Sequence, residues 1–175
     1  MPNYRRDHTP GATWFFTVTL ANRKSSLLLD QIGRLRESVR YVRRQWPFHI
    51  DAWVVLPEHM HAVWTLPEGD EDFSTRWRLI KSRFSRELPR RESISRSRTR
   101  KGERGIWQRR FWEHRIRHER DFRRHVDYIH FNPVKHGHVE RAIDWPFSTF
   151  SRYVRKGIYS PDWGGGTEIA GDFGE

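Results

Sequence analysis

Two histidines flank one methionine in the stretch "PEHMHAVW", Pro57 to Trp64. In an extended strand successive side chains alternate between faces, so His59 and His61 share one face and Met60 takes the other. Two imidazoles side by side can grip a divalent metal ion; they can equally be an ordinary polar pair on a wet sheet face. A second constellation lies in "ERDFRRHVDYIHFNPVKHG". Asp121, His125, Tyr128 and Asn132 recur there at spacings of four, three and four, which lines them along one helical face. If that face meets the one carrying His59 and His61, the combined set has a definite chemistry. A phenol with an unperturbed pKa of about 10 is a poor nucleophile at neutral pH. A metal ion beside it polarises a phosphoryl oxygen and stabilises the charge that builds there. Two imidazoles and the amide oxygen of Asn132 suit Mg²⁺ or Mn²⁺ and also admit Zn²⁺ or Co²⁺. Tyr128 would then attack phosphorus and form a covalent phosphotyrosine. His125, one turn before Tyr128, is an alternative ligand or a base. Six of the ten histidines fall between His114 and His138, so other ligand sets are open. Pro133 also disfavours helical geometry at Asn132, against the four-residue spacing.

The elements that must position these residues are legible in the hydrophobic pattern. "TWFFTVTL" from Thr13, "FHIDAWVVL" from Phe48 and "HMHAVWTL" from His59 read as strands. In the third, Met60, Ala62, Trp64 and Leu66 line one face, and His59, His61 and Val63 the other. Ile32, Leu35, Val39 and Val42 mark an amphipathic helix from about Leu28 to Trp46, with Asp30 near its positive end. Trp77, Ile80 and Phe84 mark a second from about Ser74 to Leu88, with Ser74 as its expected cap. "IWQRRFWEHRI" suggests a fourth strand. A third helix is expected from Glu119 toward Lys135, packing through Phe122, Val126 and Ile129 and stopped by Gly137. The order is β-α-β-β-α-β-α. Its first six elements form a ferredoxin-like split βαβ unit, an α+β antiparallel sheet with two helices on one face. The extra tyrosine-bearing helix is expected on the opposite face.

With 175 residues the chain suits one domain, expected over 1–160. A flexible basic insert is expected at 90–105 and a disordered tail over 161–175. The absence of cysteine removes disulfides and thiolate metal sites and fits a reducing cytoplasm. No apolar run approaches twenty residues and no hydrophobic segment opens the chain, against membrane insertion and secretion. The formal charge is +11, with nine Trp and eleven Phe. Residues 90–124 carry 14 Lys and Arg against five acids and supply most of that charge. Cations interleaved with rings suit nucleic acid, where phosphates take the charge and bases stack. Arg109, Arg110, Arg115 and Arg117 are candidate phosphate contacts. Trp107, Phe111 and Trp112 are candidate stacking rings, with core packing as their other use.

Taken together, four stretches resemble a known family. "PEHMHAVW" resembles the His-hydrophobic-His motif of HUH endonucleases, and "YIHFNPVKHG" the tyrosine helix of single-tyrosine transposases. With "WQRRFWEHRI" and "DWPFSTFSRY", the chain is similar to the REP-associated tyrosine transposases, bacterial relatives of small insertion-sequence transposases. The resemblance runs from about Thr13 to Tyr159. It implies a ferredoxin-like, RRM-like sheet and a metal bound by His59 and His61 with Asn132 as third ligand. It implies that Tyr128 becomes joined to a DNA 5′ phosphate and releases a 3′ hydroxyl. The implied substrate is single-stranded DNA beside a hairpin from a repetitive extragenic palindrome, with no nucleotide cofactor and no membrane. A monomer is expected, because every site element can assemble within one chain. Two other readings stay open: a non-catalytic, sequence-specific nucleic-acid binder on the same sheet, and a metal phosphodiesterase that uses activated water.

Overall fold

The computed structural model describes residues 6–164 and Phe173. Four strands, β1 (Thr13–Thr19), β2 (His49–Val55), β3 (His59–Thr65) and β4 (Trp112–Arg115), form one sheet in the order β2-β3-β1-β4. All neighbouring strands are antiparallel. The helices are α1 (Leu27–Asp30), α2 (Ile32–Gln45), α3 (Phe73–Arg86), α4 (Arg96–Arg100), α5 (Glu119–Lys135) and α6 (Phe150–Arg155), with a 3₁₀ turn at Ala142–Asp144. This is the α+β, ferredoxin-like arrangement that the element order implies.

Strand alternation divides the core in two. Trp14, Phe16 and Val18 of β1 and Met60, Ala62 and Trp64 of β3 point to the side covered by α2 and α3. There Trp64 and Trp77 stack with centroids 4.2 Å apart, and Leu35, Val39, Phe73, Ile80 and Phe84 complete the layer. Phe15 of β1, Val63 of β3 and Ala52 and Val54 of β2 point the other way, against Val126, Tyr128 and Ile129 of α5. A register shift between Ile50 and Ala52 sets the phase of β2 on both faces. The tyrosine helix therefore lies on the face opposite α2 and α3, as expected.

Several local details differ from the sequence pattern. The first helix is two pieces, because Gln31 takes a non-helical backbone (φ −116°, ψ 30°) between them. Asp72, not Ser74, caps α3, accepting from Thr75 N at 2.8 Å; Ser74 sits within the first turn and accepts from Arg6 at 2.6 Å. The fourth strand is four residues long. Upstream of it the chain meets β1's end at the Leu20–Trp107 bridge, through Gln108 N to Thr19 O and Ala21 N to Ile106 O, both at 2.9 Å. α5 runs through Pro133, which costs one backbone donor close to the helix end, and Gly137 closes it at φ 71°.

The 90–105 stretch, read from the sequence as a flexible linker, contains α4, capped by Ser95. Arg104 ties its ends down. Its guanidinium meets Glu92 at 2.6 Å and the carbonyl oxygens of Leu88 and Pro89 at 2.6 and 2.9 Å. Composition marks such a segment as unable to bury apolar surface, but says nothing of one arginine satisfying several acceptors. Most of the tail expected over 161–175 lies outside the described residues. Within it, Trp163 packs on Tyr159 with centroids 4.6 Å apart, and Phe173 is buried against α5.

Candidate active site

The site lies between β3 and α5. Cross-strand register sets Thr17 opposite His61 and Thr19 opposite His59. Both imidazoles are buried, and a buried imidazole must be hydrogen-bonded to be tolerated. His59 Nδ1 lies 2.8 Å from the Glu58 carboxylate, which only accepts, so Nδ1 carries the proton. His61 Nδ1 lies 2.8 Å from Thr17 Oγ1. Thr17 spends its single hydroxyl proton on the Phe173 carbonyl at 2.6 Å, so His61 Nδ1 is again the donor. Both rings thus take the tautomer with its lone pair on Nε2. An acceptor that fixes Nδ1–H in this way is the usual support of a metal-ligating histidine.

The rings of His59 and His61 stand 4.9 Å apart, and that of Tyr128 is 5.2 Å from His61. Phe15 forms the floor beneath His61 and Tyr128. Lys135, two turns after Tyr128, donates to the Tyr128 hydroxyl at 3.3 Å, and its ammonium lies 4.9 Å from the ring centroid. His136 lies 5.4 Å from His59, ring to ring. Asn132 is fully buried one turn after Tyr128. Burial, then the fields of His136, Lys135 and Arg23, push the His61 pKa down to about 3. Burial also lowers Lys135 and His136. His61 is therefore neutral at physiological pH, the form an imidazole must take to bind a metal. The positive charges of Lys135 and Arg23 beside it favour an anionic guest.

A second polar cluster occupies the same face nearer β4. His114 Nε2 and His125 Nδ1 both engage the Asp121 carboxylate, at 2.9 and 3.1 Å. Among the described residues, these three are the His/Asp/Glu group whose potential ligand atoms lie within 4.8 Å of one another. Asp121 also accepts from Arg117 N at 3.0 Å, at the start of α5. Both imidazoles already satisfy the carboxylate, and the set reads as a brace for the helix N-terminus. His125 Nδ1 faces Asp121, 2.8 Å from its backbone oxygen and 3.1 Å from its carboxylate.

No family model matches the chain. It is 54% identical to the REP-associated tyrosine transposase of Escherichia coli (strain K12), over 94% of this chain and 92% of that one. The chain belongs to the REP-associated tyrosine transposases. It is also 44% identical, over 97% of both chains, to a protein of Haemophilus influenzae assigned to the same group. A solved structure described as the REP-associated tyrosine transposase bound to a REP hairpin superposes with a TM-score of 0.81, at 52% identity. It covers 100% of this chain and 94% of that chain. The chain is thus an enzyme of the transposase type with the α+β fold of that structure. No helix among the described residues is long and apolar enough to cross a membrane.

The transposase fold brings His59, His61 and Tyr128 together and buries Asn132 on the same helix. It does not gather the expected DNA-contact residues. Trp107 is core: its ring meets Phe84 at 5.4 Å and its Nε1 donates to Ser85 at 2.9 Å. Phe111 packs on Phe16 and Phe73 and lies under the Arg6 guanidinium. Trp112 is exposed on β4. Arg109 pairs with Glu103 and Arg115 with Asp7, both at 2.8 Å; Arg110 and Arg117 are exposed. Sequence reasoning missed Lys135 and His136, although both stand within the quoted tyrosine-helix motif. It also missed Phe173, whose ring stacks on Tyr128 with centroids 3.7 Å apart.

Proposed function

We propose that this transposase cuts and rejoins single-stranded DNA beside hairpin-forming palindromic repeats, with Tyr128 as nucleophile. The observation that carries the reading is the meeting of Tyr128 with the His59–His61 pair across the β3–α5 interface, 5.2 Å ring to ring. The DNA assignment draws on the relative solved with a REP hairpin and on the +11 charge.

The donor set fits a divalent ion, Mg²⁺ or Mn²⁺. His59 and His61 offer Nε2 lone pairs fixed by their Nδ1 partners, and the amide oxygen of Asn132 is the proposed third ligand. Such an ion, when bound, supplies Lewis-acid charge stabilisation at a phosphoryl oxygen. The chain's own groups do the rest. Tyr128 Oη forms a bond to phosphorus as the bond from phosphorus to the 3′ oxygen breaks, leaving a 5′-phosphotyrosine and a 3′ hydroxyl. The Lys135 ammonium, hydrogen-bonded to Oη, favours the phenolate that attacks. The bond energy is kept in the phosphotyrosine, so a 3′ hydroxyl can reverse the step and no nucleotide cofactor is required. Tyr128 is 1% exposed beneath Phe173, so the phosphate gains access when that ring moves aside.

Backbone contacts support action as a monomer. Residues 147–149 bond to the outer edge of β2, through Val55 N to Phe147 O at 2.8 Å and Thr149 N to Trp53 O at 2.9 Å. That edge is covered against pairing with a second sheet.

The test is a 3′-labelled single strand carrying a hairpin, incubated with Mn²⁺ and run on a denaturing gel. The expected result is a labelled protein–DNA adduct that EDTA suppresses and that Tyr128→Phe lacks. Cleavage without an adduct would instead mean activated water as nucleophile. Binding without cleavage would mean a non-catalytic DNA-binding protein.

A further inference from the structure

Among the described residues, Trp112 carries an indole that the fold leaves unused. It is 42% exposed and belongs to neither apolar cluster. Trp46, exposed to a similar degree, lies 5.9 Å from the Arg76 guanidinium. Trp107, in the same basic stretch, is locked into the core as described above. The Trp112 indole has no ring, cation or hydrogen-bond partner among the described residues. A lone exposed ring is ordinary on a protein surface, so its position decides.

Register fixes that position. Trp112 pairs with Thr17 on β1, and Thr17 pairs with His61 on β3. Residues directly opposite each other in an antiparallel sheet share a face, so Trp112, Thr17 and His61 form one row on the α5 side. Neighbouring strands lie about 4.8 Å apart, which sets the Trp112 and His61 backbones about 10 Å from each other. One end of the row carries the histidine pair and Tyr128. The other end, on the outer strand β4, carries the open indole. Positive charge borders it. Arg110 and Arg117, on either side of β4, are exposed and make no ion pair among the described residues. Arg124, one turn before Tyr128, holds its guanidinium 5.2 Å from the Phe173 ring centroid.

An open ring among cations is the combination that holds a single strand, with phosphates on the guanidinium groups and a base on the indole. A duplex keeps its base faces inside its own stack and offers an edge-strand indole nothing to lie against. An apolar peptide needs a contiguous groove of apolar pockets. Beside Trp112 the same face continues with Thr17 and His61 along the row and with His114 along the strand, all polar.

We propose that Trp112 is the platform on which one unpaired base beside the scissile phosphate stacks, so that the strand runs along the row toward Tyr128. The proposal rests on the single-strand reading above, and binding tests it separately from chemistry. The probes are a DNA hairpin with a single-stranded flank, the same molecule with an abasic residue at each flank position in turn, and the blunt hairpin without the flank. Affinity is read by fluorescence anisotropy in EDTA for the wild type, Trp112→Phe and Trp112→Ala. One abasic position should weaken wild-type binding by roughly 5- to 140-fold, the worth of one base stacked on a ring. Trp112→Ala should lose a similar factor on the intact flank and be indifferent to that same abasic position. Trp112→Phe should keep most of the affinity. All three proteins should bind the blunt hairpin alike and melt at similar temperatures, since the indole is exposed. Mapping the cut that the wild type makes in Mn²⁺ should place the coupled base beside the phosphate joined to Tyr128. No loss in Trp112→Ala, or a loss that adds to that of every abasic position, would overturn the proposal. So would equal weakening of the blunt hairpin, or a coupled base remote from the cut. If the wild type forms no adduct, the catalytic reading fails, and the binding cycle still decides whether Trp112 stacks a base.

Discussion

The two faces of the sheet are built from the same strands and do opposite work. On the helical face, β1 and β3 contribute Trp14, Phe16, Met60, Ala62 and Trp64 to a large apolar core. On the α5 face the alternate residues of the same strands are Phe15 and Val63 in a smaller apolar cluster, interleaved with Thr17, His59 and His61, buried polar groups whose partners are Phe173, Glu58 and Thr17. One face secures stability by packing. The other gives up apolar surface to hold chemistry, and stays folded because its imidazoles are hydrogen-bonded. Substitutions on the two faces should therefore fail in different ways.

The largest separation is between Tyr128→Phe and Trp77→Ala. Tyr128→Phe should lower adduct formation by at least about 10⁴-fold. Its melting temperature and DNA affinity should stay close to wild type, since one hydroxyl is lost. Trp77→Ala should cost about 3–5 kcal/mol of stability through the cavity it leaves, with any activity loss tracking the unfolded fraction. Single-turnover gels beside denaturant melts measure both. Active Tyr128→Phe would erase the functional distinction between the faces.

Acid should damage the histidine face first. His61, and His130 buried on α5 with its Nε2 2.8 Å from Thr149 Oγ1, ordinarily titrate at 6.5, and burial lowers each to about 3. A lowered histidine pKa means the folded state resists the proton that the unfolded chain accepts. The stability these groups contribute is complete above pH 6.5 and drains as pH falls toward 3, at about 1.4 kcal/mol per unit per group. Melts at pH 7, 5 and 4 should show a steep fall; a flat profile would contradict the burial of both rings.

The partner of His59 gives a finer probe. Glu58→Gln keeps the shape but removes the carboxylate that fixes the ring, and should weaken Mn²⁺ affinity by about 10- to 100-fold. Calorimetric titration reads this without any turnover. The smallest effect is expected at the lid. An aromatic pair is worth about 0.5–1.5 kcal/mol, so Phe173→Ala should speed adduct formation by roughly two- to twelve-fold. A slower Phe173→Ala enzyme would mean that the ring helps position the phenol.

Both faces were partly written in the chain. Alternation in "HMHAVWTL" divides His59 and His61 from Met60, Ala62 and Trp64, and the 3.6-residue period puts Tyr128 beside the packing stripe of Val126 and Ile129. These are local periodicities, fixed by where successive Cβ atoms point. The four stretches that resemble the transposase family lie in order along the chain, so kinship was legible as well. Local pattern could not show that the phenol would meet the imidazoles, because a separation of 67 residues between His61 and Tyr128 is closed only by the whole sheet. Nor could it tell a stacking tryptophan from a core one: Trp107 and Trp112 stand in the same basic stretch, and the end of β1 buries the first while the edge of β4 exposes the second. The Arg104 clasp, the Lys135–Tyr128 contact and the stacking of Phe173 on Tyr128 were likewise settled in three dimensions. Each depends on acceptors or rings supplied by distant segments, and a sequence names the donors without saying what they will face.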